Sequence, residues 1–261
     1  MKITHDNYVK KLLKEGKKVT AAWAQAASPI TAEILGDAGF DAVMIDMEHG
    51  PGDIMMLINQ INALKGQPAV PFVRAPWNDF VQLKKILDAG VYGVLVPYVY
   101  SAEEAEAAVR AVRYPTEGIR GVAGSPKAPH FGNNSMEYMK KANEEIFLMI
   151  AVETPEAVAK LEELLKVKKL DRIFNGPMDL ATSMGHFGNP QHPEVQKAIQ
   201  EVEAKVFASN KILSTVAGSW EDAKKKYDRG YQLLLLMSDT VTLSKTARAL
   251  TGSFADAYPG R

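Results

Sequence analysis

Cysteine is absent from all 261 residues, which removes disulfides, thiolate metal sites and cysteine nucleophiles and leaves nothing that demands an oxidising compartment. Neither sign of charge is in excess: 31 Lys plus Arg face 31 Asp plus Glu, a formal net charge of zero. Such a chain has no basic surplus to hold a phosphate backbone, so nucleic acid is not expected as a partner. Residues 1–18 lack the apolar core of a signal peptide, and no run is long enough to span a bilayer. The expectation is a soluble cytoplasmic protein without a membrane partner. No Ser/Gly-rich, Pro-rich or single-sign linker divides the sequence, so residues 1–261 are expected to form one domain with a short amino-terminal arm.

What the sequence does contain is alternation. Apolar strand-like runs at 19–24, 42–47, 69–74, 93–99, 146–152, 172–175, 212–216 and 231–237 alternate with amphipathic stretches, the pattern of βα units around a parallel sheet. Start signals support the helices. Pro29 and Thr154-Pro155 put proline at a first helical position, Asp79 precedes a helical stretch, and Ser101-Ala-Glu-Glu104 is a capping box. Eight such units make a (β/α)8 barrel the economical reading. The alternation breaks between 114 and 134, where Pro, Gly, Arg120 and His130 accumulate; so long a loop in a compact domain is expected to be ordered over a site. Met55, Met56 and the run Leu233 to Leu236 read as core.

In a parallel barrel the chemistry belongs at the carboxyl ends of the strands. Asp46, Glu48 and His49 end the second strand, Arg74 the third, Glu153 the fifth, and Asp179 follows the sixth. Each alone has a bland reading, as a helix cap, a loop charge or half of a surface ion pair; together they bring a base, a fixed cation and acids to one mouth. Glu153 and Asp179 come from adjacent strands spaced about 4.8 Å apart, where two carboxylates repel unless a proton or cation lies between them. Two carboxylates without a thiolate favour a hard divalent cation, Mg²⁺ or Mn²⁺, over Zn²⁺, with Co²⁺ possible. Arg74 suits a carboxylate or carbonyl oxygen. His49 is a candidate general base, with Asp46 or Asp88 to fix its tautomer, and Glu48 reads as a structural carboxylate. His5 and His192 are expected at the surface, while His130 and His186 sit in loops that reach toward the site. No lysine lies in the sixth strand or near the ends of the fifth and sixth, which disfavours a Schiff base.

Four segments carry a resemblance: Phe40-Asp-Ala-Val-Met-Ile-Asp-Met-Glu-His-Gly50, Val73-Arg-Ala-Pro-Trp-Asn-Asp79, Arg113-Tyr-Pro with Gly118-Ile-Arg-Gly121, and Val152-Glu-Thr154 with Gly176-Pro-Met-Asp-Leu180 and Gly188-Asn-Pro190. In order and spacing this resembles the metal-dependent, class II pyruvate aldolases of the HpcH/HpaI family, which cleave 4-hydroxy-2-oxo acids. The resemblance implies a TIM barrel of the phosphoenolpyruvate/pyruvate-binding type and reversible cleavage to pyruvate and an aldehyde through a metal-stabilised enolate. It makes Glu153 and Asp179 the ligands of one divalent cation, Arg74 the partner of the pyruvyl oxygen, His49 the base and Asp88 the acid paired with it. The backbone amides of Met178 and Asp179, after Gly176, match those that hold the pyruvate carboxylate, and Trp23 matches a position beside the pocket. A homo-oligomer, a hexamer by resemblance, is implied, with 2-oxo acid and pyruvate as small-molecule partners.

The chain departs from the family pattern at three places. Ala151 replaces a common Gln two residues before the metal-binding Glu, Met178 replaces a small Ala, and Ser125-Pro-Lys-Ala-Pro-His130 differs from the loop of the homoprotocatechuate-pathway enzymes. Two other readings of the same residues are oxaloacetate decarboxylation, which needs the metal and Arg74 but not His49, and a ligand-binding barrel without turnover.

Overall fold

Eight parallel strands close into a barrel in sequence order, in a computed structural model that describes residues 5–260. The strands are β1 Val19–Ala24, β2 Ala42–Asp46, β3 Val70–Arg74, β4 Gly93–Val96, β5 Phe147–Val152, β6 Arg172–Asn175, β7 Ile212–Val216 and β8 Leu233–Ser238. Around them run α1 Tyr8–Lys14, α2 Pro29–Asp37, α3 Ile54–Ala63, α4 Phe80–Asp88, α5 Ala102–Ala111, a 3₁₀ turn at His130–Gly132, α6 Ser135–Glu145, α7 Pro155–Ala159 and α8 Leu161–Lys166. The last four helices are α9 Pro177–Ser183, α10 Pro193–Phe207, α11 Trp220–Arg229 and α12 Asp239–Ala257. The (β/α)8 reading holds, and β1, β6 and β7 have the expected bounds.

The two-residue period of the strands sorts the core. Trp23, Met44, Phe72, Leu95, Met149 and Phe174 fill the barrel interior, while the residues between them, such as Val43, Val73 and Ile150, pack outward against the helices. One step further along the same inward rows come Gln25, Asp46 and Arg74, and two steps beyond Met149, past Ala151, comes Glu153. The strand pattern therefore gives the interior a polar top layer on an apolar floor.

Local signals act as expected at most helix starts. Asp53, Asp79, Ser101 and Thr154 each accept an amide of their helix's first turn. Glu104 reaches back one residue past the cap, accepting the Tyr100 amide at 2.6 Å rather than that of Ser101. β4 stops at Val96, three residues short of expectation, because Pro97 has no N–H with which to extend the ladder.

The amino-terminal arm is more than an arm. Val9, Leu12 and Leu13 of α1 join the barrel-interior cluster, and Lys10 reaches the Ile146 carbonyl and Asp171, each at 3.1 Å, so α1 closes the amino-terminal end of the barrel. His5 is buried rather than at the surface. Met55 turns outward and is 62% exposed, which corrects its reading as core; Leu233, Leu234 and Leu235 are core as expected.

The segment 114–134 lies at the amino-terminal end, opposite its expected position over the strand ends. Arg120 pairs with Asp88 at the last turn of α4 at 2.8 Å, and the Ala128 amide bonds the Asp88 carbonyl at 3.0 Å. His130 sits 5.5 Å from His5, ring to ring. The segment is ordered, as expected, but around a buried arginine that packs between Tyr114 and Tyr138.

One contact inside the barrel is tight enough to test. A Cβ added at Gly93 would lie 2.6 Å from three ring atoms of the fully buried Phe72. Gly93→Ala is expected to destabilise the fold by about 1–3 kcal/mol, read as a lower urea midpoint; an unchanged midpoint would contradict this packing.

Candidate active site

The centre of the mouth is Arg74. β2 and β3 pair Asp46 directly with Arg74, and the carboxylate accepts from Nε at 2.9 Å and Nη2 at 2.6 Å. This is the two-pronged geometry in which a guanidinium holds a carboxylate most strongly. Asp46 also accepts from the Gln25 side chain at 2.8 Å and from the amides of Glu48 and His49 at 3.1 and 3.3 Å. Burial works against its charge, but the bonds from Arg74, Gln25 and His49 outweigh it and hold the carboxyl below its ordinary value. The guanidinium lies over the Trp23 ring, 4.4 Å from its centroid, and Trp23 meets Phe174 edge-on. Trp23 thus forms the support beneath Arg74.

Glu48, read as a structural carboxylate, belongs to this cluster. Its Oε2 lies 3.1 Å from Arg74 Nη1, and burial pushes its carboxyl above the ordinary value against the pull of Arg74 and His49. The sequence signal that was available is parity: Glu48 stands two residues beyond Asp46 on the inward row.

Glu153 and Asp179 converge on Tyr98. The Tyr98 amide donates to Glu153 Oε1 at 2.8 Å, and its hydroxyl donates to Asp179 Oδ1 at 3.3 Å. Glu153 is buried, and burial, with the Asp179 and Glu48 charges adding, pushes its carboxyl up to about 7 despite the Tyr98 amide and Arg74. Burial, then the Asp179 and Glu153 carboxylates, push the Tyr98 phenol up to about 12. To make both bonds Tyr98 takes a left-handed backbone, φ 50°, a conformation that non-glycine residues seldom adopt away from functional sites. Sequence reading missed Tyr98 by placing it inside a strand.

These acids fit a divalent cation. Oxygen donors converge from adjacent strands, no side-chain cation bonds Glu153 or Asp179 among the described residues, and burial, with the neighbouring acids adding, makes an ionised Glu153 costly without a cation. Gly176 keeps the space open: a Cβ there would lie 2.6 Å from Glu153 Oε2. The Met178 and Asp179 amides, in the first turn of α9, have no partner among the described residues; the first amide to find a helical acceptor is Leu180.

His49 is brought to the mouth and Asp88 is not. The His49 ring is 62% exposed, with Glu48 Oε2 at 3.9 Å from Nε2. Asp46 bonds the His49 amide rather than its ring, and Asp88 lies at the far end of the barrel on Arg120. A pairing of Asp88 with His49 inside one chain is therefore excluded, because α4 runs back from the mouth and Asp88 is its last residue. His186 bonds Glu194 at 2.8 Å and stacks on His192, the cap of α10. It makes no contact with the acids of the mouth among the described residues.

The fold and the mouth define a class, the (β/α)8 barrels with an acid-lined site on the strand ends. The profile of the family described as HpcH/HpaI aldolase/citrate lyase matches residues 20–246, and the chain belongs to that family. It is 39% identical over 249 residues to a 4-hydroxy-2-oxo-heptane-1,7-dioate aldolase of Escherichia coli, covering 95% of each chain. Its fold is similar to that of an HpcH/HpaI aldolase/citrate lyase family protein from Burkholderia cenocepacia, with TM-score 0.90, 31% identity, and coverage of 95% of this chain and 99% of that one. An HpcH/HpaI aldolase from Desulfitobacterium hafniense matches with TM-score 0.88 and 28% identity over 96% of this chain and 97% of that one.

The raised Glu153 has a measurable consequence. Its carboxyl holds a proton more tightly folded than unfolded, so the metal-free protein loses stability as pH rises from about 4.5 to about 7, by up to about 3 kcal/mol. Glu153→Gln is expected to raise the Tm of the metal-free protein at pH 8 and to leave it nearly unchanged at pH 5. An equal effect at both pH values would contradict a buried, charged Glu153.

Proposed function

We propose that the protein is a divalent-metal-dependent aldolase that reversibly cleaves a 4-hydroxy-2-oxo acid to pyruvate and an aldehyde. The observation that carries this reading is the meeting, at one mouth, of a clamped guanidinium and two acids that have no cation of their own. A divalent cation held by Glu153 and Asp179, Mg²⁺ or Mn²⁺ for an all-oxygen donor set, supplies Lewis-acid stabilisation of negative charge on the 2-oxo oxygen.

The chain's own residues do the rest. Of the five N–H groups of a guanidinium, Asp46 accepts two and Glu48 pairs with Nη1, and the N–H groups left free donate to the substrate's 2-oxo oxygen. The free amides of Met178 and Asp179 hold the C1 carboxylate. His49, directly or through water, takes the proton of the C4 hydroxyl; the C3–C4 bond breaks, C4 leaves as the aldehyde carbonyl, and the bond's electron pair forms pyruvate enolate. Protonation at C3 then gives pyruvate. Clamping by Asp46 fixes Arg74 before substrate arrives, so little reorganisation is left for the reaction itself.

Oxaloacetate decarboxylation is the second reading, and the exposed His49 ring, which makes no hydrogen bond among the described residues, supports it, since that reaction needs no base there. His49→Ala separates the two. It is expected to slow pyruvate release from 4-hydroxy-2-oxo acids by about 10²–10⁴-fold while sparing decarboxylation; loss of neither activity would remove His49 from the mechanism. Rigorous chelation is expected to abolish both, and borohydride trapping of a pyruvate adduct would overturn the metal-dependent scheme.

We further propose a cytoplasmic homo-oligomer. Among the described residues no helix is long and apolar enough to cross a membrane, and α12 presents exposed Leu243 and Leu250, seven residues apart on one face that a second copy would cover. Replacing Leu243 and Leu250 together by Glu is expected to give a smaller species in light scattering, whereas an unchanged mass would exclude this face as the contact.

A further inference from the structure

The outer part of the mouth is aromatic. Trp77 stacks on Tyr98 with ring centroids 5.8 Å apart and 26° between planes, and Tyr98 meets Tyr100 edge-on at 6.2 Å. Because the Tyr98 hydroxyl bonds Asp179, this wall begins at the acids and runs outward to Trp77, which is 52% exposed, with Met178 equally exposed beside Asp179. Among the described residues no Lys or Arg covers these three rings.

Charge is distributed just as one-sidedly. The segments that follow the strands, 25–28, 47–53, 75–79, 97–101, 153–154, 176–192 and 217–219, contain no lysine or arginine. Among the described residues Arg74 is the one guanidinium at the carboxyl end of a strand, and Asp46 and Glu48 already hold it. A second carboxylate on the substrate would thus find no lysine or arginine on these segments to pair with, and the Glu48 carboxylate nearby. Polyhydroxylated chains fare little better, because the mouth's small polar side chains are committed. Asp53, Asp79, Ser101 and Thr154 cap helices, and Asn78 donates to the Glu104 carbonyl.

We infer that the outer half of the site takes an aldehyde bearing an aryl or other apolar group, laid against the face formed by Trp77 and Tyr98. The inference rests on the aldolase reading above. A ring in this position gains stacking area on Trp77 and Tyr98 without removing charge from water, and the exposed Met178 side chain adapts to its edge.

The test compares three substrates on the Mn²⁺-supplied enzyme: the 4-hydroxy-2-oxo acids that yield pyruvate with benzaldehyde, with succinic semialdehyde and with glyceraldehyde. The aryl substrate is expected to have a kcat/KM at least tenfold above both others. Trp77→Ala is expected to lower that ratio at least fivefold, chiefly through KM, and Trp77→Phe to restore most of it. Saturation transfer from the protein to the ring protons of benzaldehyde is expected with wild type and lost in Trp77→Ala. A preference for the carboxylate-terminated or polyol substrate, or a ratio indifferent to Trp77→Ala, overturns the inference. Deuterium exchange at C3 of pyruvate, which needs no aldehyde, separates the two levels: exchange with reversed preference sinks only the apolar subsite, and no exchange sinks the aldolase reading with it.

Discussion

The bond on which the mouth depends is the two-pronged grip of Asp46 on Arg74. Asp46 is buried with no exposed side-chain surface, and an isolated carboxylate there would be neutralised or expelled. Arg74, the Gln25 amide and two backbone amides keep it ionised, and in return it aims the guanidinium. Removing either partner strands the other, a loss of about 3–5 kcal/mol for buried pairs. Everything else in the site is arranged around the charge that results: Glu48 approaches Arg74 from a second side, while Glu153 feels its charge without bonding it.

That arrangement follows from how a barrel is filled. Strand periodicity alternates inward and outward residues, so the inward rows that carry Met44, Phe72 and Ala151 lower down carry Asp46, Arg74 and Glu153 at the top. The apolar floor keeps the dielectric low beneath the charged layer, which strengthens the attraction of Arg74 for Asp46 and equally the repulsion among the remaining acids. Glu153 is raised first by its burial, with the Asp179 and Glu48 charges adding to it. Tyr98 moderates the repulsion by donating to both acids, at the expense of a left-handed backbone.

Much of this was legible in the residues alone. Alternating apolar and amphipathic runs carried the barrel and its strand order, and proline, serine and aspartate carried most helix starts. The rows that converge at the mouth were legible in part: His49, Arg74, Glu153 and Asp179 sit at strand ends by simple counting. Three things were hidden. Asp88 and the segment 114–134 sit at the wrong end for a site because helices run antiparallel to the strands, and a motif does not reveal which end of its helix faces the mouth. Glu48 was set aside because nothing local distinguishes it from a loop acid, although its parity with Asp46 pointed inward. Tyr98 was hidden by conformation, since its role comes from the break after Pro97 and from two acids far away in sequence.

If a divalent cation completes the acid-lined mouth as proposed, Mn²⁺ binds there and its binding depends on Glu153. Calorimetric titration of metal-free protein with Mn²⁺ at pH 6 and pH 8 tests it most directly. The account predicts one ion per chain, weaker binding with proton release at pH 6, and loss of that site in Glu153→Ala. No saturable binding, or binding indifferent to Glu153→Ala, would contradict it.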